Sequence, residues 1–173
     1  MSNHAAESPK GFSWSIKLRL DGDVSVCRQR ILDVVAIIIA TPRHVWPNAD
    51  QWRAMLPAWF IQQTPERTRA ESQALIDMAP RDQWHTLSWE FKSWIQVVRE
   101  REWSWWSCQQ EGDQMMIHLS LSAWPANIDT FNHIVRTAGA TIIQEGHTLD
   151  TDTIQPCIVR GSQVPFTAVM FEG

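Results

Sequence analysis

Between Phe12 and Asp21, apolar and polar side chains alternate without interruption: Phe12, Trp14, Ile16, Leu18 and Leu20 against Ser13, Ser15, Lys17, Arg19 and Asp21. A period of two sustained over this stretch fits a strand with one dry face and one wet face. Such a strand needs neighbours beside it and a layer to cover it, so the rest of the chain must supply both. At Asp21-Gly22-Asp23 the period breaks, and the triplet offers a helix N-cap. Cys27, Ile31, Val34, Val35 and Ile38 then fall on one helical stripe. Ile37 and Ile39 lie off it, which predicts a helix covered on most of its sides.

Pro42, Pro47, Pro57, Pro65 and Pro80 punctuate the next stretch. Proline costs about 3 kcal/mol inside a helix but suits its first turn, so this region is predicted to be several short helices, near 49–56, 57–63 and 65–78. Thr64-Pro65-Glu66 has the form of a cap, a first-turn proline and an acid at the positive helix end. A further helix is expected from about Pro80, with Trp84, Leu87, Phe91, Trp94, Ile95 and Val98 on its inner stripe.

Residues 100–109 and 114–124 flank Gln110-Glu111-Gly112-Asp113 and predict a hairpin. In its second strand Met115, Ile117, Leu119 and Leu121 oppose Met116, His118, Ser120 and Ser122. In the first strand the pattern is less clean, because tryptophan sits on both faces. After Trp124-Pro125, Asn127 can cap a helix with Ile128, Phe131, Ile134, Val135 and Ala138 inward and His133 on its outer side, and Gly139 is placed to end it. Thr141 to Ile143 make a short strand. Residues 146–173 are expected to be a loop and extended tail, with edge strands possible at 157–159 and 166–169, and residues 1–11 a disordered N-terminus. The order β-α-helical middle-β-β-α-β predicts a single α+β domain over 12–173. Its sheet would be mixed or antiparallel, with helices packed on one face.

Composition narrows the function classes. The formal charge is −4, which argues against a nucleic-acid binder. Residues 1–86 carry a net +1 and residues 87–173 a net −5. The most apolar run, Ile31 to Ala40, is half of what a membrane span needs, and no leader is visible at the N-terminus. Cys27, Cys108 and Cys157 are odd in number and widely spaced, which favours buried thiols in a reducing, cytoplasmic setting.

Reactive-group patterns are sparse. The six histidines show no i, i+4 pair, no H-x-H and no H-E-x-x-H, so neither a metal nor a cofactor is expected. With 109 opposite 114, Cys108 would sit about 10 Å from His118, too far for proton transfer, and so is expected to be a structural thiol. Glu100 and Glu102 lie two apart on one strand face, the arrangement an acid–base pair requires. Arg99 and Arg101 interleave them, which equally describes a solvated strand end.

Tryptophan is the anomaly: the chain has 11 and no tyrosine. Trp14, Trp52, Trp59, Trp84 and Trp94 fit inner stripes, whereas Trp89, Trp103, Trp105, Trp106 and Trp124 are harder to place inside together. Adjacent Trp105 and Trp106 should point to opposite faces of a strand. Unless the helical middle covers both sides, one of them stands outside, near Glu100, Glu102, Glu111, Asp113 and His118. Exposed aromatics beside carboxylates suit a basic protein partner. The candidate partner surface is therefore Glu100, Glu102, Trp103, Trp105, Trp106, Glu111, Asp113 and His118.

The run from Met115 to Ile143 (strand, Trp124-Pro125, helix, Ala138-Gly139-Ala140, strand) resembles segments of small cytosolic bacterial immunity proteins, which accompany secreted antibacterial toxins. That resemblance implies a stoichiometric inhibitor, acidic because many toxin nucleases are basic; it carries over no functional residue. Two other functions fit the same sequence. One is an adaptor or chaperone for a secreted effector. The other is a small-molecule binder or enzyme with a tryptophan-lined pocket using Glu102 or His118.

Overall fold

A computed structural model describes residues 12–147. The N-terminal segment 1–11, the tail beyond 147 and the edge strands expected within it lie outside the described residues. Strand β1 (Phe12–Leu20) leads into helix α1 (Val24–Ile39). A 3-10 turn (Arg43–Val45) and helices α2 (Ala49–Met55), α3 (Ala58–Gln63) and α4 (Arg69–Met78) follow. A second 3-10 turn (Arg81–Thr86) precedes α5 (Phe91–Arg99). The chain ends, as described, with β2 (Trp103–Glu111), β3 (Gln114–Leu121), α6 (Asp129–Thr137) and β4 (Ala140–His147).

The fold is α+β, and its four-stranded sheet is antiparallel at every pairing, in the order β2-β3-β1-β4. The alternation in β1 does what a period of two dictates. Ile16, Leu18 and Leu20 are buried against the helices, while Arg19 on the other face reaches Asp21, which also accepts from Thr141. Asp23 caps α1 by accepting from the Val26 amide, and the whole expected stripe, Cys27 to Ile38, is buried. Gly139 follows α6 at φ +99°, a left-handed conformation that glycine adopts without a Cβ penalty.

The core lies between the sheet and the helices, and indole is its main filler. Trp94 from α5 and Trp103 from β2 converge on Thr130 of α6. Trp94 Nε1 donates to the Thr130 carbonyl and Trp103 Nε1 to its hydroxyl. Two large apolar rings are thus buried with their polar edges satisfied by one residue.

Several expectations need correction. The hairpin turn has two residues, Gly112 and Asp113, because Glu111 pairs with Gln114 and Gly112 adopts φ +61°. β4 runs through His147, so Gly146 and His147 belong to the sheet and not to a loop. Thr64 is not the N-cap of a following helix but the C-cap of α3. Its hydroxyl is bound to buried His133, and α4 starts later, with Thr68 and Glu71 forming a capping box. The helix that begins at Pro80 is a 3-10 helix over residues 81–86, not the start of one α-helix running to Val98, and Glu90 caps α5 separately. His133, expected on the outer side of α6, is buried.

Candidate functional site

The hairpin residues do not form one surface. A bulge at Trp106 shifts the register, so that Trp105 pairs with Leu119 while Ser107 pairs with His118. The extra residue lets Trp103, Trp105 and Cys108 all join the core, paired with Leu121, Leu119 and Ile117. Trp103 and Trp105 are 1% exposed, and Trp106 is 4% exposed with its ring against His118. None of the three stands out as an anchor, contrary to expectation. His118 on the outer face is also buried, its Nδ1 2.9 Å from the Ser15 hydroxyl. Burial holds its imidazole below the usual range.

The exposed carboxylates sit at opposite ends of β2. Glu100 and Glu102 precede it, and Glu111 and Asp113 lie at the turn. Nine residue steps along the strand separate Glu102 from Glu111, about 30 Å. The register also revises Cys108, which pairs with Ile117 and is thus next to His118 along the ladder, on the other face. Cys108 is disulfide-bonded, while Cys27 is a buried free thiol. The cysteine-based argument for a reducing compartment therefore does not hold.

The concave feature lies elsewhere, in the helical middle. A cleft of about 260 Å³ opens between α4, the 81–86 turn and α5, with Leu75, Ile76, Trp84, Leu87 and Trp89 as its apolar walls. A second space of about 210 Å³ adjoins it, bounded by Gln63, His133 and Thr137. Leu87, Ser88, Trp89 and Asp129 line both. The local sequence explains the opening. Pro80 and the non-helical Leu87–Glu90 segment break the stripe that was to carry Trp84 inward, and α4 ends before it can cover the gap.

No residue of α4 is buried, and Leu75 (37%), Met78 (85%) and Trp84 (44%) are exposed. Trp84 is nonetheless fixed. Its Nε1 donates to the carbonyls of Ile76 and Ala79, and the Arg81 guanidinium lies over its ring.

The charges around the cleft differ in how far they are used. Arg67 donates to the Ser88 carbonyl and hydroxyl. Glu90 accepts from the Lys92 and Ser93 amides. Burial works to raise the Glu90 carboxyl, but hydrogen bonds from Ser93, Lys92 and Arg67 outweigh it and hold the group below its ordinary range. Asp129 is exposed, and its carboxylate has no hydrogen-bond or ion-pair partner among the described residues.

His133 Nε2 lies 2.8 Å from Thr64 Oγ1, and burial, reinforced by Arg136 and Arg67, pushes its imidazole down to about 4. The ring is therefore neutral at pH 7. The hydroxyl–imidazole pair is buried, with Thr64 1% and His133 5% exposed, and it ties the end of α3 to α6. Among the described residues no group of three His, Cys, Asp or Glu side chains is placed to hold a metal ion, and no helix is long and apolar enough to cross a membrane.

The cleft residues escaped the sequence reading because α4 has no apolar stripe. Leu75, Ile76 and Met78 crowd its last turn. The recoverable signal was Thr68-Arg69-Ala70-Glu71, a capping-box pattern that starts a helix too polar to be core. No protein-family model, no curated protein and no solved structure matches the chain.

Proposed function

We propose that this chain is a protein-binding module of the inhibitor kind, an immunity protein that neutralises a cognate antibacterial toxin by stoichiometric binding. The observation that carries the binding part is α4, a ten-residue helix that buries none of its side chains and leaves Leu75, Met78 and Trp84 open beside a cleft. Apolar groups left out of a core, with polar groups around them, mark surfaces that partners cover. The inhibitor part draws on the resemblance of the 115–143 segment, and the net charge of −4 suits a basic toxin or effector domain. The cytoplasmic location rests on that resemblance alone.

Size favours a protein over a small molecule. At about 260 Å³ the cleft is under the roughly 300–1,000 Å³ of a typical small-molecule site. It suits a side chain or two from a larger partner.

The test is a titration of the protein encoded by the adjoining reading frame. Its activity should fall to background at one equivalent of this chain. A complex that forms with the partner fully active would instead indicate an adaptor or loading chaperone. Absence of any complex would overturn the binding reading.

A further inference from the structure

Resting on the partner-binding reading, we infer that the cleft between α4, the 81–86 turn and α5 takes one kind of occupant: a segment of the partner protein that presents an apolar side chain next to a lysine or arginine. The apolar half follows from the walls. Leu75, Ile76, Leu87 and Trp89 face a space of about 260 Å³, and Trp84 closes one side. That wall is pre-organised, because the Trp84 indole is anchored to the carbonyls of Ile76 in α4 and Ala79 at its C-cap, at 3.1 and 3.2 Å. A ring already fixed loses little rotamer freedom when a partner packs on it, so more of the burial energy appears as affinity.

The basic half follows from the unspent charge. Arg67 is committed to Ser88, and Glu90 is committed to the amides at the start of α5. Both are occupied within the fold. Asp129 borders both spaces and has no partner among the described residues. A cation on the residue beside the buried anchor would meet it at the rim, where direct contact replaces long-range steering. An acidic segment would meet that same carboxylate with like charge.

Three capped nine-residue peptides in a Gly/Ser background test this, carrying a central Phe-Arg, Phe-Gln or Phe-Glu pair. Each is titrated into the ¹⁵N-labelled full chain. The Phe-Arg peptide should move the Trp84 and Trp89 indole signals and bind up to about fivefold more tightly than Phe-Gln, as an exposed ion pair permits. Phe-Glu should bind most weakly. Asp129→Asn should erase the ranking, and Leu75→Ser should weaken all three. Equal binding of the three peptides, or no movement of either indole signal, overturns the inference.

A second arm uses the cognate partner. If the wild-type chain inhibits it and Leu75→Glu and Asp129→Lys inhibit equally well, the cleft assignment fails and the inhibitor reading stands. If the wild type does not inhibit while the peptide ranking holds, the inhibitor reading fails and the cleft assignment stands.

Discussion

Two regions of this molecule bring tryptophan and carboxylate together in sequence, and they resolve the combination in opposite ways. The β2–β3 hairpin, with Trp103, Trp105 and Trp106 between Glu102 and Glu111, closes: all three rings are buried and the acids are driven to its two ends. The segment from α4 to α5, with Trp84 and Trp89 between Asp82 and Glu90, opens into a cleft with Trp84 exposed. What separates them is how each backbone handles phase. One extra residue at Trp106 resets the strand parity, so Trp105 and Cys108 both face inward. In the helical segment nothing resets the phase. A helical stripe lasts only as long as the helix, and Pro80 with the Leu87–Glu90 segment ends it on both sides of Trp84.

The largest expected effect measures that contrast directly. Trp103→Ala removes a ring that is 1% exposed and leaves the Thr130 hydroxyl without its donor. It should cost about 3–5 kcal/mol, enough to unfold many domains. Trp84→Ala, at an exposed position, should cost about 1 kcal/mol or less, mostly through the indole hydrogen bonds to α4. Urea unfolding followed by far-UV circular dichroism reads both values. Similar costs for the two substitutions would mean that the cleft is part of the core and would break the comparison.

An intermediate effect comes from the buried histidine at the cleft's inner end. Native His133 keeps its neutral form down to about pH 4, whereas the unfolded chain takes up that proton near its ordinary value of about 6.5. Between those values the unfolded state binds more protons, so stability falls as pH is lowered from about 6.5 to 4 and is unaffected by this group above that window. The loss attributable to His133 is at most about 3 kcal/mol. His118, also lowered by burial, acts with the same sign on the sheet face. His133→Gln, which preserves a partner for Thr64, should flatten the curve of unfolding midpoint against pH. A variant with the wild-type slope would show that the acid sensitivity lies elsewhere.

The parts of this fold legible in the sequence are those where one period runs uninterrupted to a cap. β1 alternates up to Leu20 and α1 follows from Asp23, so both could be read from spacing alone, as could the inward set of α6. The same holds for the α+β order. Legibility fails where a single backbone event changes the phase. The bulge at Trp106 cannot be seen in Ser104-Trp105-Trp106-Ser107, because an inserted residue looks like any other until its partner strand is placed. His133 was assigned outward for a related reason. Helical periodicity gives α6 one core face, but α3 approaches its other side and brings Thr64 to the imidazole. Contacts set by the meeting of two short helices have no signature in either helix alone.

The smallest effect tests whether α4 is as loosely held as its burial implies. Thr68 accepts from the Glu71 amide, and Glu71 returns the bond to the Thr68 amide. Thr68→Ala removes half of that box, worth about 1 kcal/mol to a helix end. Because α4 contributes no buried side chain, that loss should remain local. Amide hydrogen exchange should accelerate about fivefold across 69–78, as 1 kcal/mol of local opening implies, with the α5 amides and the global unfolding midpoint unchanged. If the midpoint falls by the full amount instead, α4 unfolds together with the core. The cleft would then be a rigid part of the domain, and the contrast with the sealed hairpin would be one of exposure alone.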